Sequence, residues 1–346
     1  MKILYPIKKR DVNEISEYNF YIKDGIKFEY IYIDDYVLFD DLKIEELEEN
    51  LNRKTNGFLN LYNKIIENIN KYDVLWIRHG SLFHPKFLNN INIFKCLHTT
   101  DDPEGSERDT KRYCKYYDLV IYAGIFYNQH ERLENKLKEW GAKETYWMPL
   151  GVYEKKYRKK LNVDEIINNE KNKNIPIIFI GSSWLKEDFL IQIKKYFKKD
   201  FHIYGHWGGK RGIFKRIIKY NVWTYIKPLE EDKFLDILEN SKIGINKHLS
   251  YGPSNQRMHI LPANYVLQIT DLPNQTKEIY DIDKEIICYE DKEEVIGKIE
   301  YYLHYEKRRL EIILEANKKV MNNYTFEKNL KDCIKHIQKL IDNDNR

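Results

Sequence analysis

The sequence predicts an α/β protein built from two parallel-sheet domains. Three observations carry that reading. Short apolar runs alternate with helical patterns along the whole chain, the alternation restarts after a charged stretch near the middle, and 346 residues exceed the usual size of one domain.

In the first half, the runs at 2–6, 28–33, 74–77, 94–98 and 119–123 read as strands, with helix-like segments between most of them. The second half repeats the scheme at 175–180, 201–204, 243–246, 265–270 and 285–289. Strands alternating with helices are the pattern of parallel sheets joined by crossovers. Residues 151–174, GVYEKKYRKKLNVDEIINNEKNKN, are charged and poor in apolar side chains, and the domain boundary is expected there. This gives domains over 1–155 and 156–324. Further on, Asp291 and Glu294 have the spacing of a capping box, and Val295, Ile299, Tyr302 and Leu303 then form a helical stripe. A long helical tail closes the chain.

Composition narrows the function classes. Lys and Arg number 58 against 54 Asp and Glu, and a net charge of +4 is too mild to make nucleic acid or an anionic membrane the main partner. Cys96, Cys114, Cys288 and Cys333 show neither CxxC pairing nor zinc-ligand spacing, which suits reduced thiols in a cytoplasmic protein. The opening MKILYPIKKRD is too short in apolar residues for a signal-peptide core, and no run approaches the ~20 residues of a membrane span.

In parallel sheets, ligands gather outside the carboxyl ends of the strands. The segment 242–303 is the most informative in this respect. An apolar run at 243–246 stops at a breaker-rich loop, and Ser254 is a plausible N-cap for a following helix that carries Arg257. Backbone N–H groups, the positive helix end and a guanidinium would converge there on one anion such as a diphosphate. The plainer alternative is a strand-loop-helix turn with a surface arginine.

The same segment, IGINKHLSYGPSNQRMHILPANYVLQITDLPNQTKEIYDIDKEIICYEDKEEVIGKIEYYL, resembles the C-terminal signature of the spore-maturation-protein-like group of GT-B glycosyltransferases. More loosely, TTDDPEG, YYDLVIYAG and MPLGVY resemble the group's acidic element, its next strand and its interdomain connection, while IGSSW and IYGHW resemble its glycine-bearing strand ends. The resemblance implies two Rossmann-like domains facing each other across a cleft, with the last helix, roughly 325–346, packing back on the first domain. It implies transfer of a hexosyl or pentosyl group from a nucleotide-diphosphate sugar, a UDP-sugar being the expected donor, to an acceptor hydroxyl without an essential metal. The acceptor would be a protein, a surface glycan or a hydroxylated DNA base. Many related enzymes use a Glu-x7-Glu pair, but the aligned positions here are Gly252 and Ile260, and Tyr265 stands where a small glycine is usual. The ribose pocket is therefore expected to be built differently, with Glu278 as a substitute.

The expected donor-binding residues are Gly181, Ser182, Ser183, His206, Lys247, Ser254, Asn255, Arg257, Asp271 and Glu278. Charge accumulating on a leaving nucleotide needs preorganised cations or N–H donors, which singles out Arg257 and Lys247. On the acceptor side, His79 follows a strand and has a pKa suited to taking a hydroxyl proton, and Asp101 or Asp102 would orient or deprotonate the acceptor. Each has a local alternative: a strand-end hydrogen bond for His79, solvated N-cap chemistry for the aspartates. Adjacent carboxylates would also suit Mg2+, but the resemblance argues against a metal.

Basic clusters at 155–160, 194–199 and 210–219 read first as solvated helix faces. In the last, Lys215, Arg216 and Lys219 would line one side of a helix anchored by Phe214 and Ile218. Two rivals to the enzyme stay open: a GT-B-like nucleotide-binding or scaffold protein without turnover, and a nucleic-acid-binding module.

Overall fold

The structure, a computed structural model, describes residues 1–9, 25–37, 57–78, 82–107, 110–157, 161–181, 186–205, 209–221, 226, 230, 233–253 and 255–344. The chain divides into two compact units, Met1–Pro149 with Glu327–Arg346, and Leu150–Phe326.

The first unit holds a six-stranded sheet of β1 (Lys2–Ile7), β2 (Lys27–Tyr32), β3 (Val74–Arg78), β4 (Phe94–Thr99), β5 (Leu119–Tyr122) and β6 (Glu144–Trp147). Its order is β2-β1-β3-β4-β5-β6, with every pairing parallel. The central runs are apolar on both faces because helices cover both: β5 is buried at all four positions. The helix Gly57–Asn68 shows how the cover is written, with Phe58, Leu61, Tyr62 and Ile65 buried at helical spacing. The final helix, Phe326–Asp344, adds Leu330, Cys333, Ile334 and Ile337 to the buried set, and Asn329 donates from Nδ2 to the Pro149 carbonyl at 2.8 Å.

The second unit holds a five-stranded parallel sheet, β11-β10-β9-β7-β8, made from β7 (Ile175–Ile180), β8 (Phe201–Tyr204), β9 (Ser241–Asn246), β10 (Leu267–Thr270) and β11 (Ile287–Cys288). In sequence order this is a 2-1-3-4-5 sheet, whose strand order reverses between β7 and β9. That reversal leaves a crevice at the carboxyl ends of the two strands, the usual ligand position in such sheets. Ile177, Phe179, Ile243, Ile245, Leu267 and Ile269 form the core beneath it.

The ten strands expected from the sequence all exist, with ends shifted by a few residues. β6, ETYW, was missed because it is an edge strand with mixed polarity. The capping box is half formed: Asp291 accepts from Glu294 N at 2.8 Å, but the Glu294 carboxylate takes the Glu290 N–H instead of that of Asp291.

The structure adds detail to one stretch and corrects one expectation. The charged stretch 151–174 contains the helices Glu154–Tyr157 and Val163–Asn172, the second capped by Asn162 with a full capping box. It carries Glu170 into the interior, where that carboxylate meets Arg309 Nε at 2.8 Å and Lys173 Nζ at 2.6 Å, all three side chains being nearly inaccessible. In the helix Gly209–Tyr220 the polarity is inverted: Arg216 is buried on Glu187, and Phe214 and Ile218 point outward.

Burial lowers the Lys173 pKa against the pull of Glu170, so this carboxylate is what makes two interior cations tolerable. Replacing Glu170 with Ala is expected to destabilise the protein by about 3–5 kcal/mol, since it leaves buried charge unmatched. Urea denaturation of wild type and Glu170→Ala measures this, and near-equal midpoints with equal slopes would remove the network from the account.

Candidate functional site

The polar residues of the second unit gather at the reversal between β7 and β9. Gly181 closes β7, donating its N–H to the Tyr204 carbonyl at 2.9 Å, with φ of 154°. A β-carbon there would lie 2.1 Å from Arg257 Nη1, so a side chain would displace the guanidinium, and the positive φ would strain it as well.

Arg257 opens the helix Arg257–Ala263. Its Nη1 donates to the Ile180 carbonyl at 2.5 Å, its Nε donates to Asn246 Oδ1 at 3.0 Å, and its guanidinium lies 4.9 Å from the Phe179 ring centroid. Burial pushes its pKa down to about 10, against the pull of Asp271, which leaves it charged at neutral pH. Among the described residues, Nη2 makes no hydrogen bond, and the residue is partly exposed.

Asn246, the last residue of β9, is fully buried and accepts from both Arg257 and Asn255 Nδ2, the latter at 3.0 Å. Asp271 follows β10 and fixes the other half of the site. One of its oxygens is 2.7 Å from His248 Nδ1, the other 2.8 Å from Lys247 Nζ, and the carboxylate also accepts the His248 backbone N–H at 3.1 Å. Burial raises the Asp271 carboxyl, but the bond from His248 and the charge of Lys247 outweigh it and hold the group below its ordinary value. Burial lowers the His248 imidazole despite Asp271, so the ring is neutral at pH 7, with Nδ1–H turned to the carboxylate. Lys247 remains about one-third exposed and lies 5.5 Å from the Phe189 ring centroid.

Among the described residues, three buried atoms here have no partner: Asn246 Nδ2, Asn255 Oδ1 and His248 Nε2. Polar atoms that are buried and unmatched are uncommon in a folded protein, and here three of them lie beside two cations.

Of the expected donor-binding residues, Gly181, Lys247, Asn255, Arg257 and Asp271 are brought together at the ends of β7, β9 and β10. Glu278 is exposed, after the short helix Pro273–Thr276. His79, Ser182, Ser183, His206 and Ser254 lie outside the described residues. The N-cap of the arginine-bearing helix is Gln256, with no side-chain cap bond, which corrects the expectation of Ser254 in that role. Asn246 and His248 were missed. The available signal was a polar residue ending a buried strand, followed two positions later by a histidine.

In the first unit, Asp102 is 2% exposed and accepts from Thr99 Oγ1 at 2.5 Å, Thr110 Oγ1 at 2.7 Å and Ser106 Oγ at 3.1 Å. It is thus not a solvated cap but the buried pin of the turn that follows β4, and a turn rather than a helix occupies Pro103–Glu107. Asp101 is exposed beside it. Among the described residues, no group of three or more His, Cys, Asp or Glu side chains is placed to hold a metal. No helix among them is long and apolar enough to cross a membrane.

Comparison with known proteins agrees with this geometry. Residues 184–335 match the family described as glycosyl transferase-like. No curated protein matches the sequence. Among solved structures, the chain is similar to sucrose-phosphate synthase from Thermosynechococcus elongatus, at 12% identity over 98% of this chain and 99% of that one, with a TM-score of 0.68. It is similar to an alpha-glucosyltransferase in complex with UDP-glucose and DNA containing an abasic site, at 16% identity over 99% of both chains, with a TM-score of 0.64. It is also similar to Anabaena HepE in complex with UDP-glucose, at 12% identity over 98% of this chain and 100% of that one, with a TM-score of 0.64. The two parallel-sheet α/β units are those of the GT-B glycosyltransferase fold.

Proposed function

We propose that this protein is a glycosyltransferase that moves a hexosyl or pentosyl group from a UDP-sugar to an acceptor hydroxyl. The observation that carries the reading is the two cations Arg257 and Lys247 at the β7/β9 reversal, beside three buried polar atoms that have no partner among the described residues. Similar solved structures bind UDP-glucose, which supports the same donor class.

In this reading, Arg257 Nη2 and Lys247 Nζ hold the diphosphate and stabilise the charge that builds on it as the glycosidic bond breaks. Asp271 keeps Lys247 in place and fixes the His248 tautomer, so that Nε2 accepts a hydrogen bond from the donor. Asn246 aims Arg257, and Gly181 gives the guanidinium room. The cations are fixed before the ligand arrives, so little reorganisation is left for the reacting complex. No metal is needed for this stabilisation. The acceptor belongs to the first unit, where exposed Asp101 orients or deprotonates the hydroxyl, Asp102 holds the turn that carries it, and His79 is the alternative base. A protein, a surface glycan or a hydroxylated DNA base fits the acceptor role. The buried, unbridged cysteines suit a reducing compartment.

A second reading is a nucleotide-binding protein of the same fold without turnover. It is favoured by one observation: Ile260, which stands where related enzymes have a glutamate, packs against an apolar cluster of Leu238, Leu261 and Val266. UDP-glucose hydrolysis in the absence of acceptor separates the two, because tight UDP binding with no hydrolysis would favour the second.

Two outcomes are expected. Arg257→Ala should weaken UDP binding by roughly 1.5–3 kcal/mol, the range for a hydrogen bond to a charged group, and unchanged calorimetric affinity would take Arg257 out of the site. EDTA should leave most donor hydrolysis or transfer in place. Complete loss in EDTA, restored by Mg2+ or Mn2+, would contradict stabilisation by side-chain cations alone.

A further inference from the structure

A cavity of about 620 Å³ opens in the first unit at the amino ends of its strands, the opposite end of the sheet from Asp101 and Asp102. Asp73 precedes β3, Lys95 is the second residue of β4, Asp118 precedes β5 and Lys143 precedes β6, and all four line it. The Asp118 carboxylate takes Lys143 Nζ at 2.7 Å, lies 3.7 Å from Lys95 Nζ and accepts the Lys95 backbone N–H at 2.8 Å. Lys95 Nζ is also held by the Ile91 and Ile93 carbonyls, at 3.4 and 3.3 Å, and Asp73 accepts the Lys2 N–H at 2.7 Å. Lys115 is the cation left over. It is exposed, its ammonium lies 5.2 Å from the Tyr116 ring centroid, and among the described residues no carboxylate pairs with it. Gly141, at φ 94°, lets the chain that leads to Lys143 pass close to Lys115, since a β-carbon there would stand 3.1 Å from Lys115 Cβ. The side-chain amides of Asn89 and Asn92, also in the lining, make no hydrogen bond among the described residues.

We propose that this cavity binds a sugar phosphate. Its volume is within the range of roughly 300–1,000 Å³ that holds small organic molecules, so a bare inorganic ion would leave most of it unfilled. Three lysines against two aspartates leave one positive charge in the lining, which calls for an anionic group. Lysines act as point charges that a tetrahedral phosphate can meet from several directions, whereas a planar carboxylate gains most from the fork of an arginine, and no arginine lines the cavity. The phosphate lies at Lys115 and Lys143. The rest of the ligand lies against Asn89 and Asn92, whose amides both donate and accept, as hydroxyl groups require, and against the apolar Leu88 and Ile91. In parallel sheets, substrates gather at the carboxyl ends of the strands, so a ligand at the amino ends is neither donor nor acceptor. The site stands whether or not the transferase reading holds.

Calorimetric titration of the full chain tests it, with glucose 6-phosphate, glucose and inorganic phosphate as probes. Glucose 6-phosphate is expected to bind at least about tenfold more tightly than either of the other two, because only it meets both the cations and the amides. Lys115→Ala should weaken it about tenfold or more, and Asn92→Ala should weaken it while leaving the affinity for inorganic phosphate as it was. Both side chains are exposed, and an unchanged melting temperature in each variant shows that the fold is kept. Arg257→Ala should leave this binding unchanged, which separates the cavity from the β7/β9 reversal. Absence of binding, equal binding of glucose 6-phosphate and inorganic phosphate, or wild-type affinity in Lys115→Ala would overturn the proposal. So would binding that Arg257→Ala abolishes, since the sugar phosphate would then occupy the second unit.

Discussion

The guanidinium of Arg257 lies where it does because residue 181 has no side chain. A β-carbon at that point would stand 2.1 Å from Nη1, so a side chain at 181 would push the guanidinium off the Ile180 carbonyl it now meets. That space lets one strand-end carbonyl, one buried asparagine and one aromatic face hold a single cation. Burying a cation is costly unless it is hydrogen-bonded and faces compensating charge. Here the protein satisfies two of its nitrogens and leaves the third available. A site that is charged and ordered before its ligand arrives is suited to a phosphate group, whose charge completes it.

Asp271 organises the opposite wall by the same principle. One carboxylate orients a lysine and a histidine, and takes a backbone N–H as well. The histidine is kept neutral by burial, and its outer nitrogen is left as an acceptor. The two walls come from β7 and β9 on one side and β10 on the other, and they meet because the sheet order reverses between β7 and β9. Topology thus supplies the place, and four polar residues, Asn246, His248, Arg257 and Asp271, supply its chemistry.

The strands were legible because parallel strands covered on both faces are written as continuous apolar runs. β6 was not, because an edge strand with one partner tolerates the mixed ETYW. Polar residues were read less well, since sequence does not show which charge will be buried. Glu170, Arg216 and Arg309 all look like solvent-facing charges, yet each is buried against a partner distant in the chain. Asp102 looked chemical, and its three hydroxyl donors come from Thr99, Ser106 and Thr110, whose convergence depends on a turn the sequence does not specify. Arg257 was visible because a breaker-rich loop after a buried strand is a local signal. Asn246 and His248 gain their meaning only from the residues they touch. Tyr265 is a different case: its φ of 54° lies in the left-handed region that favours glycine, and the resemblance to the glycosyltransferase group led to the expectation of a glycine there.

The central claim is that the β7/β9 reversal is a diphosphate site, and calorimetric titration with UDP and with uridine tests it most directly. If Arg257 and Lys247 grip the diphosphate, UDP binds at least about a hundredfold more tightly than uridine, since each charge-assisted hydrogen bond contributes about 1.5–3 kcal/mol. Equal affinity for the two would show that the cations do not meet the phosphates and would contradict the account.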